Sequence, residues 1–524
     1  MNRRSFLQKS AIATAAAPTI IGGMPLLASS PSSALGSNFM NNDNIVIIIQ
    51  LFGGNDGLNT VIPADDDNYY NLRPGISVVK DTAVRILGSD VFLHPAMVTN
   101  VHNGGMLNLL EQGNLAVIEN VGYENPNLSH FRSTDIWLSG INSSNPDVRL
   151  DTGWVGRYFE RNLTNFPLVI PEDPLAIQIG GSLSMLLKSQ SGDMGITLRD
   201  PDSFFKNGAG LTPDEDYFDP AINNYQEEFN FIRTIAKQSD VYSQKVKQAF
   251  DKGTNAVNYS QGFAQQLRLI SRLISGGLKS KVYMCFMGGF DTHVQQQQSD
   301  NLGFHPSLLN NLSNGICQFM DDAIQQGFGE KVVGLTISEF GRRPFENGSR
   351  GTDHGAASVQ FVFGRNVNAA VYGNPPDLEN FTNNGDIVYQ NDYRRVYVDI
   401  LESWFEETPE TIEQILGAKV NRLGTIKKRV TSVPELIEPV NGTPFDLYPN
   451  PSRGNSICSF VLKHPTKVSL TIYDSRGVAI SKIYDGHLER GFHTIPLTVS
   501  NSGSFVAVLE ANGYHYTSNF SVTR

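Results

Sequence analysis

The chain has 524 residues, 40% of them hydrophobic and 18% charged, with a formal net charge of −11. That length exceeds what one core usually serves, so two or more folded units are expected. The acidic balance, with no dense Lys/Arg run after the first few residues, argues against a phosphate-backbone binder, and no nucleic-acid partner is expected. Cys285, Cys317 and Cys458 are too few for a disulfide framework and read as core fillers.

At the N-terminus, Arg3-Arg4-Ser5-Phe6-Leu7 precedes an Ala/Ile-rich stretch, the pattern of a twin-arginine export signal. Small residues at Ser32-Ser33-Ala34 suit cleavage, so residues 1–34 are expected to be a signal peptide and residues 40–425 the main body. No other apolar run reaches the length of a membrane span, so no permanent span is expected. Ile45 to Phe52 is apolar almost without interruption, as a strand buried on both faces reads, and it stops at Gly53-Gly54-Asn55-Asp56-Gly57. Leu115 to Ile118 stops at Glu119-Asn120 and leads to Asn127-Leu128-Ser129-His130-Phe131. Residues 224–274 read as a helical insertion with an apolar stripe of Phe263, Leu267, Ile270 and Ile274. Val282 to Met287 runs into Gly288-Gly289-Phe290-Asp291-Thr292-His293, and Gln295 to Gln298 reads as a polar helix face. Leu309, Leu312, Ile316, Phe319 and Met320 mark a helix, and Val332 to Ile337 then delivers Ser338-Glu339-Phe340-Gly341-Arg342. Asp353-His354 is expected on a loop before Val359 to Phe363.

Strands alternating with helices predict a mainly parallel α/β sheet, whose ligands bind beyond the carboxyl ends of the strands. Those ends carry Asp56, Ser129, Asp291, His293 and Glu339, with Asp353 and His354 nearby. Carboxylates and imidazoles gathered at one rim suit a divalent metal: zinc first, with manganese, magnesium and calcium as alternatives. Ser129 is the candidate nucleophile beside such an ion, and Arg342 the candidate fork for a phosphate or sulfate group. His94, His130 and His305 read as packing or capping residues, and Trp137, Trp154 and Trp404 as core aromatics.

Residues 426–443 read as a linker, and residues 444–524 as a small antiparallel β-sandwich of short alternating strands. Tyr448-Pro449-Asn450-Pro451, the Tyr473-Asp474-x-x-Gly477 turn and Gly503-Ser504-Phe505-Val506 resemble the type A sorting domain of the type IX secretion system of Bacteroidetes. That resemblance implies passage through the periplasm and the type IX export machinery to the cell surface or the medium. A carbohydrate-binding or adhesive β-domain is the alternative.

Phe52-Gly-Gly-Asn-Asp-Gly-Leu-Asn59, Asn127-Leu-Ser-His-Phe131, Gly288-Gly-Phe-Asp-Thr-His293, Ser338-Glu-Phe-Gly-Arg342 and Gly351-Thr-Asp-His-Gly355 together resemble the domain-of-unknown-function 1501 family, from about Asn44 to Gly417. That family is placed in the alkaline phosphatase and sulfatase superfamily. The resemblance implies a doubly wound, alkaline-phosphatase-like α/β sheet and metal-dependent hydrolysis of phosphate or sulfate esters. It puts Asp56 at a first-strand metal ligand, Ser129 at the nucleophile, Asp291 and His293 at a second metal, and His354 at the late histidine. The chain has Glu339-Phe340 where the superfamily usually has Asp-His, so a non-catalytic surface-binding protein on the same fold is the competing expectation.

Overall fold

A computed structural model describes residues 42–163, 166, 171–201, 204–205, 240–298, 301–428, 437–438, 445–462, 465–474, 478–511 and 514–523. The twin-arginine segment and most of the linker lie outside them. The chain divides into two compact units between Lys427 and Lys428.

In the first unit the β-branched run becomes β1 (Ile45–Leu51), followed by β2 (Leu115–Gly122), β3 (Ala176–Ile179), β4 (Ile196–Leu198), β5 (Val282–Met287) and β6 (Val332–Ile337). Next come β7 (Gly341–Glu346), β8 (Thr352–Gly355), β9 (Ser358–Phe363), β10 (Val371–Tyr372) and β11 (Asn391–Asp392). One nine-stranded sheet has the order β10-β2-β9-β6-β1-β5-β3-β4, with β11 beside β2. β1 pairs in parallel with both β5 and β6, so Leu51, Met287 and Ile337 end at one rim. β9 is antiparallel to β6 and to β2, which makes the sheet mixed but mainly parallel.

Burial explains the strand choice. Ile45, Ile47 and Ile49 pack into one core with the helix Phe304–Gln325. Val46 and Ile48 pack into another with helices His130–Ser139, Trp154–Asn162 and Pro409–Leu416. A strand covered on both faces has no polar alternation to show, and each fully buried Ile contributes roughly 1.5–3 kcal/mol. The three tryptophans are buried in the second of these cores, and Cys285 and Cys317 in the first, as read from the sequence.

The structure corrects several elements. β2 continues through Glu119 and Asn120 to Gly122, because both side chains are buried in the sheet. Within 224–274, residues 240–252 and Ala264–Ser275 are helical, but 253–263 are not, and 224–239 lie outside the described residues. Residues 295–298 form no helix; Gln296 and Gln297 are fully buried in a loop. Asp353 and His354 sit on β8, which forms an antiparallel hairpin with β7, instead of on a loop. Because β9 runs opposite to its neighbours, its start lies at the rim where β6 ends, and the hairpin stands there.

The second unit holds two four-stranded sheets with antiparallel pairing. Phe445, Leu447, Phe460 and Leu497 from one sheet side share a core with Leu470, Ile472, Leu509 and Phe520 from the other. This is the sandwich that the alternating pattern predicts.

Candidate metal centre

Gly53 sets the rim: its φ is +123° and an added Cβ would lie 2.2 Å from the Asp291 backbone nitrogen, so only glycine lets the two loops touch. Gly351 does the same for the hairpin, where a Cβ would meet the His293 carbonyl carbon at 2.2 Å. These close approaches bring the Gly53 turn, the 288–293 loop and the start of β8 together, and His130 at the start of the helix His130–Ser139 joins them through Glu339 at 2.8 Å.

The result is a partly exposed cluster. His293 Nε2 and His354 Nε2 are 3.0 Å apart, and Asp291 Oδ1 lies 3.1 Å from the first and 3.2 Å from the second. His130 Nε2 is 3.6 Å from Asp291 Oδ2, and ligand atoms of His130, Asp291 and His354 all fall within 4.8 Å of one another. The Phe340 ring backs His354 at 4.3 Å and His130 at 4.9 Å, centroid to centroid.

The far side of each imidazole fixes its tautomer. His354 Nδ1 lies 2.9 Å from the Leu128 carbonyl, which can only accept, so Nδ1 carries the hydrogen. His130 Nδ1 faces Glu339 Oε1 at 2.8 Å, and His293 Nδ1 faces Asp353 Oδ1 at 3.2 Å, with the same consequence when those carboxylates are ionised. In the neutral rings every Nε2 is then a bare lone pair aimed at a carboxylate. Burial pushes His354 below the usual histidine value, which favours its neutral ring. Lone pairs 3.0–3.2 Å apart repel unless a proton or a metal cation lies between them. That spacing approaches the edge of a tetrahedral shell with bonds of about 2.0 Å, roughly 3.3 Å. Carboxylate or carbonyl partners behind ligating histidines are the usual orienting groups of metal sites. The residues present therefore fit a divalent cation.

Asp291 is held from behind. Burial pushes its carboxyl up, but the hydrogen bond from Arg342, at 2.7 Å, and its charge outweigh it and leave the group below the usual aspartate value. Arg342 corrects the expectation of an ester-gripping fork. Its side chain is fully buried and donates to the carbonyls of Gly53, Gly54, Phe290 and Thr352, so it orients Asp291 and the loops around it. Asp353, expected among the metal-binding carboxylates, instead stands behind His293 at its Nδ1. Glu339 stands behind His130, its carboxylate also accepting from the Gly53 backbone at 2.8 Å.

Asp56 is placed in a buried layer beside this cluster and not among its convergent atoms. Burial raises its carboxyl, yet the charge and hydrogen bond of Arg73, at 2.6 Å, hold it below the usual value. Gln296 donates to the same oxygen. Arg73 itself reaches the Arg343 and Pro344 carbonyls of β7. Ser129 is exposed, with Leu128 and His130 on either side both touching the cluster. His130 is the cluster member that its helix-start position concealed; only its spatial partner Glu339, 209 residues away, reveals it. Arg73 and Gln296 carried no sequence signal either.

A mainly parallel α/β sheet with histidines and an aspartate at its rim is thus the class defined by fold and site. Residues 205–411 match the family described as protein of unknown function, DUF1501. No curated protein matches the chain. Among solved structures, the chain is similar to an alkaline phosphatase superfamily protein from Vibrio parahaemolyticus, with 10% identity, 92% of this chain and 90% of that one covered, and a TM-score of 0.32. A sulfatase from Pseudoalteromonas sp. is similar at 8% identity over 92% and 88% of the two chains, TM-score 0.30. A phosphonate monoester hydrolase from Silicibacter pomeroyi is similar at 10% identity over 91% and 88%, TM-score 0.29.

Proposed function

We propose that the protein is an exported metal-dependent hydrolase of phosphate or sulfate esters, with zinc as its cation. The observation that carries this reading is the convergence of imidazole Nε2 lone pairs on Asp291, each ring oriented by an acceptor at Nδ1. His130, Asp291, His293 and His354 would hold the ion. When bound, it supplies Lewis acidity that polarises an ester oxygen and eases deprotonation of a nearby hydroxyl. Ser129 is the proposed nucleophile: exposed, at a helix start, and flanked in sequence by two residues that touch the cluster. Arg342 acts one step back, by fixing Asp291.

Turnover of aryl phosphates and aryl sulfates by zinc-, manganese- and calcium-loaded protein tests the reading. Ser129→Ala is expected to abolish hydrolysis while leaving bound metal unchanged. Absence of turnover with every ion and both ester classes overturns it.

The commitment of Arg342 to internal carbonyls favours a second reading, a non-catalytic surface-binding protein on the same fold. Polysaccharide binding that survives His354→Ala and Ser129→Ala would favour that alternative.

The export route rests on the paired arginines near the N-terminus and on the sorting-domain motifs of the C-terminal sandwich. Among the described residues no helix is long and apolar enough to cross a membrane. Deleting residues 444–524 is expected to leave the protein in the periplasm, and fractionation of cells checks it.

A further inference from the structure

Thr292 separates Asp291 from His293, and Thr352 precedes Asp353 and His354, so each ligand-bearing segment carries one threonine beside the cluster. Both hydroxyls donate to a single atom, Gln296 Oε1, at 2.8 Å from Thr292 and 2.7 Å from Thr352. The Thr352 backbone nitrogen also donates to the Thr292 carbonyl at 3.1 Å, so the two segments meet at this point. All three residues are buried, and Gln296 is fully so.

The orientation of the Gln296 amide is set from its other end. Its Nε2 donates to Asp56, whose carboxylate can only accept, so a flipped amide would set oxygen against oxygen there and put N–H groups against the threonine hydroxyls. Asp56 in turn stays ionised because buried Arg73 pairs with it, and Arg73 is tied to the hairpin carbonyls. The chain of contacts therefore runs from an ion pair, through one amide, to both segments.

We propose that Gln296 is a positioning residue of the metal centre: anchored on Asp56, its amide holds Asp291–His293 and Asp353–His354 in register. This rests on the reading of the cluster as a metal site. Ligand atoms must be kept within about 0.5 Å of productive geometry, and threonine, stiff at χ1, transmits a hydroxyl contact to its backbone. A glutamine that neither touches the ion nor faces solvent thus sets how tightly the ion is held.

The test compares zinc affinity, by competition calorimetry, in the full chain, in Thr292→Val/Thr352→Val, in Thr292→Ser/Thr352→Ser and in Gln296→Met. The valine pair keeps side-chain shape and removes both hydroxyls. It is expected to weaken zinc binding about 10–100-fold, with one ion still bound per chain. The serine pair keeps both donors and is expected to stay within threefold of the unaltered chain, a rescue that a purely volumetric role would not give. Thermal unfolding of the metal-free proteins checks that the fold persists; should Gln296→Met fail to fold, the valine and serine pairs decide. Equal zinc affinity in the valine pair and the unaltered chain overturns the proposal. Absence of zinc binding by the unaltered chain overturns the metal reading itself, and so separates the two failures.

Discussion

Beyond the strand ends lie two groups of acids and histidines that meet the same electrostatic problem in opposite ways. In the buried layer, Asp56 is met by Arg73 and Gln296, while His94 and His305 are kept neutral. In the exposed cluster, Asp291 is met by Arg342 from behind, and imidazole lone pairs are left facing it. A strand-end carboxylate is therefore a ligand candidate only when its partners leave lone pairs converging in front of it. Asp56 and Asp291 both follow glycine-rich strand ends, and the sequence around them looks alike; the difference is made by residues far away in the chain.

The largest way to break this comparison is Arg73→Met. It leaves Asp56 charged, buried and without its cation, at an expected cost of about 3–5 kcal/mol in chemical denaturation. In the metal-free protein, His293→Ala at the partly exposed cluster is expected to cost no more than about 1 kcal/mol. Similar costs at the two places would erase the distinction.

Next come the groups behind the imidazoles. Glu339→Gln and Asp353→Asn are each expected to weaken zinc binding by about 10–100-fold, read by competition with a chromophoric chelator. His354→Ala, which removes a donor atom outright, is expected to exceed either of them.

Acid sharpens the contrast further. Burial lowers His94 to about 4 and His305 to about 3, against an ordinary value near 6.5. Once unfolded, these rings take up protons that the folded state refuses, so the stability they contribute is full above pH 6.5 and is lost as pH falls toward those values. The expected slope is up to about 1.4 kcal/mol per pH unit for each ring. Denaturation midpoints between pH 7 and 4.5 read it, and His94→Gln is expected to flatten the curve.

The smallest expected effect is that of Ser129→Ala on stability. Its hydroxyl makes no capping bond to the helix it precedes, so the change is expected to stay within about 0.5 kcal/mol. A larger loss would assign that hydroxyl a structural duty and weaken its candidacy as nucleophile.

Much of the fold was legible because its signals are local. Alternate residues of Ile45–Leu51 enter two different cores, which is what an unbroken apolar run announces. The stripe from Leu309 to Met320 became a helix face, and the alternation after Leu447 became a sandwich. Asp291, His293 and His354 were legible as chemistry-bearing residues at one rim. His130 was not, because a histidine following Ser129 at a helix start looks like a capping residue until Glu339 is seen behind it. Arg342 looked like a free fork; its carbonyl partners carry no side-chain signature at all. Gln296 and Arg73 were missed for the same reason, since a polar residue buried by tertiary contacts reads locally as surface.

Anomalous diffraction from a zinc-soaked crystal tests the central claim most directly. The account predicts one strong zinc peak bounded by His130 Nε2, His293 Nε2, His354 Nε2 and the Asp291 carboxylate, with Asp56 still paired to Arg73. No peak there, or a peak coordinated by Asp56 instead, would contradict it.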